Sequence, residues 1–130
     1  MALLVLICIP LAAALASLVV KREIRLLELW AALAAPGEFA AVFTAAASVL
    51  SSGHYAYHAY LYVDALGMIV LMTTALVGLA ASFYSIGYLR QEVTKQIIGF
   101  RRVKQYFVLF HLFVMVMFYA IITVNPILMW

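Results

Sequence analysis

ALLVLICIPLAAALASLVV-KREIR, residues 2–25, is the stretch that decides the architecture. A helix needs about 20 apolar residues to cross the hydrocarbon core of a bilayer. Residues 2–20 form one uncharged run of that length, closed by Lys21, Arg22, Glu23 and Arg25. Ala14-Leu15-Ala16 resembles a signal-peptidase site, but a signal peptide carries its basic residues before the apolar run, and here they follow it. The run therefore reads as a retained anchor with its N-terminus outside. Pro10 near its middle removes a backbone donor and kinks the helix, which neighbouring helices tolerate.

The rest of the chain repeats the theme. Of its 130 residues, 69% are hydrophobic and 10% charged, with a mean hydropathy of +1.16. A soluble domain has about 45–50% apolar and about 25% charged residues, so a water-soluble enzyme is excluded, and so is a disordered chain. The net charge of +3 would suggest nucleic acid in a soluble protein. In a membrane chain the same excess marks cytoplasmic loops, and no nucleic-acid module is present. The single cysteine, Cys8, lies inside the first apolar run, and no Cys-x-x-Cys or Cys/His cluster offers iron–sulfur or zinc ligands. The chain thus carries no cofactor and no metal redox centre of its own.

Three further spans are expected, over residues 29–50, 65–89 and 106–123, with the start of another at 127. The second contains Pro36-Gly37-Glu38 and ends at Ser51-Ser52-Gly53-His54. Tyr55, Tyr57, Tyr60 and Tyr62 then cluster as an interfacial aromatic belt does. Asp64 stands where an N-cap would open the third span. Val93, Ile97 and Ile98 recur at helical spacing in the basic stretch, as in a segment lying flat on the membrane surface. Asn125-Pro126 reads as a turn. The fold class is therefore an all-α, polytopic transmembrane helix bundle. All eight Lys and Arg fall after the first or the third span, in 21–25 and 90–104. Basic loops stay cytoplasmic, so the spans alternate from an external N-terminus.

Glu38 is the most informative residue. With the span starting near Leu29, it lies roughly 14 Å deep at about 1.5 Å per residue, where an ionised carboxylate costs at least about 2.5 kcal/mol without a partner or a water-filled cavity. Either it belongs to a proton or cation relay, or the helix breaks at Pro36-Gly37 and leaves it near water. His111, one to two turns into the last span, is either a proton shuttle or a ring hydrogen-bonded to a neighbouring helix. Asp64 is either a helix cap or a group at a channel mouth. Glu28 is expected in solvent near Arg25. His54 and His58 are four apart, the spacing of two ligands on one helix face, but no third ligand accompanies them. Thr73, Thr74, Gly78, Ser82 and Ser85 form a small-residue face where another helix approaches closely, and residues 107–119 supply packing surface.

The order of residues in the second half resembles a known family. Asp64-Ala65-Leu66 opens a span that closes in Tyr84-Ser85-Ile86-Gly87-Tyr88-Leu89. Tyr106-Phe107-x-x-Phe110-x-x-Phe113 and Asn125-Pro126-Ile127-Leu128-Met129-Trp130 follow. Residues 60–130 are similar to the N-terminal part of the proton-translocating, antiporter-like membrane subunits of respiratory complex I (chain 5 relatives), of hydrogenase 4 (component F) and of Mrp antiporters. The hydrogenase 4 component F branch is the most similar. Gly67 stands where relatives often carry a serine. The family's defining glutamate comes just after the tryptophan that matches Trp130, so the resemblance implies the N-terminal part of a longer protein.

The resemblance also implies an integral subunit of a bacterial or archaeal inner membrane. Its partners would be the lipid bilayer and other membrane subunits of a respiratory or hydrogenase complex. In such a complex, electron flow in the partners alters the proton affinity of buried acids. Glu38, His111 and Asp64 are then the proton-relay candidates. Two other readings stay open: a small four-helix proton-coupled transporter resembling the small multidrug resistance group, and a scaffold subunit without transport.

Overall fold

The computed structural model describes residues 2–57 and 60–123. The order is α1 (Ala2–Val19), α2 (Ile24–Ser52), β1 (His54–Tyr57), β2 (Leu61–Asp64), α3 (Ala65–Thr94) and α4 (Phe100–Ile122). All four helices are long and apolar enough to cross a membrane, and together they form the expected all-α bundle. Asn125-Pro126 and the apolar start at 127 lie outside the described residues.

The helices outrun the apolar stretches that announce them. α2 begins at Ile24 rather than 29 and passes through Pro36 and Gly37 without a break. α3 continues to Thr94, and α4 starts at Phe100 rather than 106, so Arg101, Arg102 and Lys104 lie in its first turns. Backbone hydrogen bonding continues wherever charged side chains reach water along their own stems. What remains between α3 and α4 is a tight turn containing Gln96, at φ 57. Val93 and Ile98 fold onto the bundle core. Ile97, the third apolar residue of that stretch, is exposed.

α1 packs on α4 and α2, and α2 packs on α3, with a thinner closure between α3 and α4. Each helix turns a face inward whose buried residues recur mostly at steps of three and four, the spacing of one side of a helix. On α2 the stripe is Leu27, Ala31, Ala34, Glu38, Ala41, Ala45 and Val49; on α4 it is Val103, Phe107, His111, Val114, Phe118 and Ile122. The alanines let backbones approach closely, the usual means of helix association in lipid. The opposite faces carry exposed Leu15, Leu33, Phe43, Ile69, Leu109 and Phe113, a surface suited to lipid. Thr73, Thr74 and Gly78 instead line a groove of about 240 Å³ facing α4. A Cβ on Gly78 would meet nothing within 4 Å, so no helix approaches closely there.

The tyrosine-rich segment is an antiparallel hairpin rather than a loop, with His54 opposite Asp64 and Tyr57 opposite Leu61. Leu61 and Val63 point inward and Tyr62 outward, and the first two join the core below. A single bridge from Leu61 to Thr123 ties the hairpin to the end of α4. At the opposite, basic end, Lys104 Nζ donates to the carbonyls of Leu18 and Val20 at 2.6 and 2.9 Å. An ammonium thereby closes the carbonyl end of α1, where cations are favoured.

Asp64 caps α3: its Oδ1 accepts the Gly67 N–H at 2.7 Å. A Cβ on Gly67 would lie 3.1 Å from both Asp64 Oδ1 and Val63 Cγ2, which explains a glycine at this position. Asp64→Ala is expected to cost about 1 kcal/mol and Asp64→Asn much less, since asparagine caps comparably. Reversible unfolding in mixed detergent micelles measures both.

Candidate functional site

Most buried apolar side chains fall into two clusters, with Pro10, Ala13, Ala14, Ala34 and Ala35 buried between them. One, toward the hairpin, contains Leu3 and Leu6 of α1, Ala41 to Val49 of α2, Met68 to Ala75 of α3 and Val114 to Ile122 of α4. The other, toward the basic end, contains Val20, Leu27, Ala31, Leu89, Val103 and Phe107. On every helix the residues between the two clusters include a buried polar side chain. These are Ser17 on α1, Glu38 on α2, Ser82 and Ser85 on α3, and His111 on α4. These side chains make up a broad polar layer, running from Ser82 at the level of Ala31 to Glu38 about two turns further along α2.

Glu38 and His111 hold the centre of that layer. Glu38 is the central residue of the 29-residue α2 and His111 that of the 23-residue α4. At about 1.5 Å per residue they lie roughly 21 and 16 Å from either end of their helices. In a hydrocarbon core of about 30 Å that is mid-depth. Both are almost fully buried, at 5% and 1% exposure. Because α2 is unbroken at Pro36-Gly37, Glu38 stays buried inside the bundle. Glu38 Oε1, His111 Nε2 and Ser17 Oγ have no hydrogen-bond partner among the described residues, so the ring of His111 is not held through Nε2 by a neighbouring helix. Buried polar atoms are rarely left this way, and each such group needs a reason. A carboxyl and an imidazole that can each take or give up a proton supply one.

The serines of α3 tie the layer to its neighbours. Ser82 Oγ donates to the Ala31 carbonyl at 3.2 Å. The hydroxyls of Ser85 and Tyr106 share a hydrogen bond across α3 and α4. Below them, toward the basic end, Arg90 grips Glu28 with a two-point fork, Nε to Oε1 at 3.2 Å and Nη2 to Oε2 at 2.6 Å. Glu28 is not in solvent beside Arg25 as its position suggests. It follows Leu27 on the inward stripe and is buried against α3, which leaves the guanidinium as its partner.

Of the relay candidates, Glu38 and His111 share the layer. Asp64 lies beyond the larger apolar cluster, at the hairpin end. His54 is on a strand and stacks on Tyr62 at 5.8 Å, so it presents no helical ligand face. His58 lies outside the described residues. Ser17, the Ser85–Tyr106 contact and the Glu28–Arg90 pair are the parts that sequence reasoning passed over. Spacing was the available signal: Ser17, Glu38, Ser82, Ser85 and His111 all fall in register with apolar residues three or four positions away. No family model, curated protein or solved structure matches the chain.

Proposed function

We propose that this chain is a membrane subunit of a redox-driven proton-translocating complex, of the NADH-quinone oxidoreductase or energy-converting hydrogenase type, in which Glu38 and His111 pass protons. The observation that carries the reading is the polar layer: two titratable side chains with unpartnered atoms at the centre of helices fit to span lipid. Ionisable groups at that depth are expensive, and a transport role is the usual reason for them. The redox context comes from the resemblance of residues 60–130 to antiporter-like subunits. Two of the segments that carry that resemblance meet in the Ser85–Tyr106 contact.

The orientation follows from charge. The basic end, with residues 21–25 and 90–104, faces the cytoplasm by the positive-inside rule, and the hairpin faces outward. Electron transfer belongs to partner subunits, since this chain supplies proton-carrying side chains and no redox centre. Oxidation of the electron donor there would draw protons through groups such as Glu38. The bacterial or archaeal inner membrane is the compartment this role requires.

The test is proton pumping by the assembled complex in inverted membrane vesicles. Glu38→Gln removes the ionisable group at nearly constant shape and is expected to lower protons moved per electron about tenfold or more, the scale of a lost proton-transfer group. Glu38→Asp is expected to retain most of the flux. Unchanged pumping in Glu38→Gln overturns the relay. Proton-driven efflux of a cationic solute by the chain reconstituted alone would instead favour the small transporter.

A further inference from the structure

At the basic end, α2 and α3 part to leave a groove of about 660 Å³. Its charged residues lie toward the helix ends: Arg25 and Glu28 in the first turns of α2, Arg90 in the last turns of α3. Its deeper walls are Leu29 and Ala32 of α2 and Ile86 of α3. The surface is therefore polar at the level where lipid headgroups lie and apolar at the level of their chains. Arg25 is exposed and makes no hydrogen bond or ion pair among the described residues. The Arg90 side chain is 66% exposed, and two of its N–H groups serve Glu28. A guanidinium has five such donors, so three stay free. Two guanidinium charges against one carboxylate leave a single positive charge at the mouth.

We propose that this groove holds one singly charged anionic phospholipid, its phosphate between Arg25 and Arg90 and an acyl chain along Leu29, Ala32 and Ile86. The charges balance one to one, and guanidinium forks match phosphate oxygens in geometry. Basic pockets between membrane helices commonly recognise acidic headgroups. The Glu28 carboxylate fixes the Arg90 fork and repels a second negative charge. That favours a headgroup of the phosphatidylglycerol class over a dianionic one. Ala32 keeps the wall thin enough for a chain to enter. Lipid retention is independent of proton movement, so this site stands whether or not Glu38 carries protons.

The experiment is native mass spectrometry of the protein released from nanodiscs of equimolar palmitoyl-oleoyl phosphatidylglycerol and phosphatidylcholine. The expected result is one phosphatidylglycerol retained per chain, in preference to phosphatidylcholine. Arg25→Gln, at an exposed and unpartnered position, is expected to lower that retention about fivefold, the contribution of one basic side chain near an anionic headgroup. Ala32→Phe keeps every charge and fills the wall, and is expected to lower retention at least as much. Equal retention of the two lipids overturns the proposal, as does wild-type retention in both variants. In a second set of nanodiscs that also contain cardiolipin, preferential retention of that dianionic lipid overturns it as well. So does photo-crosslinking from position 32 that captures protein (a second copy or a partner helix) in place of lipid.

Discussion

Arg90→Ala is expected to lower the thermal midpoint of the folded bundle by several degrees, because it strands the buried Glu28 carboxylate. Glu28 sits among Leu27, Ala31 and the α3 wall with 6% of its surface exposed, and both fork bonds come from Arg90. Breaking a fully buried pair from one side costs about 3–5 kcal/mol, because the remaining charge is stranded in a medium that solvates it poorly. The effect here is smaller, since the Arg90 side chain is two-thirds exposed and screened. Glu28→Gln alone is expected to cost less, as the exposed arginine regains water. The double variant Glu28→Gln/Arg90→Ala is expected to recover much of the loss, so that the two substitutions are not additive. Arg90→Lys would not substitute, because an ammonium lacks the planar two-point fork. Unfolding in mixed micelles reads all four corners of the cycle. A midpoint for Arg90→Ala indistinguishable from wild type, as for an ordinary surface substitution, would show the pair to be of no structural weight.

The second large effect has the opposite sign. Glu38→Leu/His111→Leu is expected to make the bundle more stable by about 1–4 kcal/mol, while proton transfer stops. Glu38 Oε1 and His111 Nε2 are buried without partners, and an unsatisfied buried polar group costs about 1–3 kcal/mol. Leucine is close in volume to either side chain. It would also join the apolar clusters above and below into one continuous core, an exchange that is often stabilising in proteins. Stability gained at the expense of activity is the usual behaviour of functional sites. If the double variant unfolds more easily than wild type, the two groups are structural members of the core and not a proton path.

Much of this architecture is legible in the residue order. Apolar runs with basic closures mark four crossings, and the isolated acid in the second run singles out Glu38. The helix limits are not legible in the same way, because hydropathy reports where charges begin and not where backbone hydrogen bonds stop. Arg101 to Lys104 are helical for that reason. The hairpin was hidden because its strands are four residues each and its tyrosines fit a membrane interface equally well. The Glu28–Arg90 pair joins residues 62 positions apart, and no local pattern reveals such a match. Asp64 was legible as a cap because capping is a contact within one turn. The polar layer lies between these cases. Each member follows the inward stripe of its own helix, but which stripes face one another appears only when the helices stand side by side.

The clasp of Lys104 on the carbonyls of Leu18 and Val20 has a consequence for biogenesis. It joins residues 84 positions apart, and α4 is also one of the two helices α1 leans on. At a synthesis rate of about 5–20 residues per second, roughly 4–17 s separate the two partners as they leave the ribosome. During that interval the first helix sits in lipid with Ser17 and its last carbonyls lacking the neighbour that later covers them. α1 is thus fully enclosed only after α4 has been made, and an insertase that holds it until then would shield it from membrane proteases.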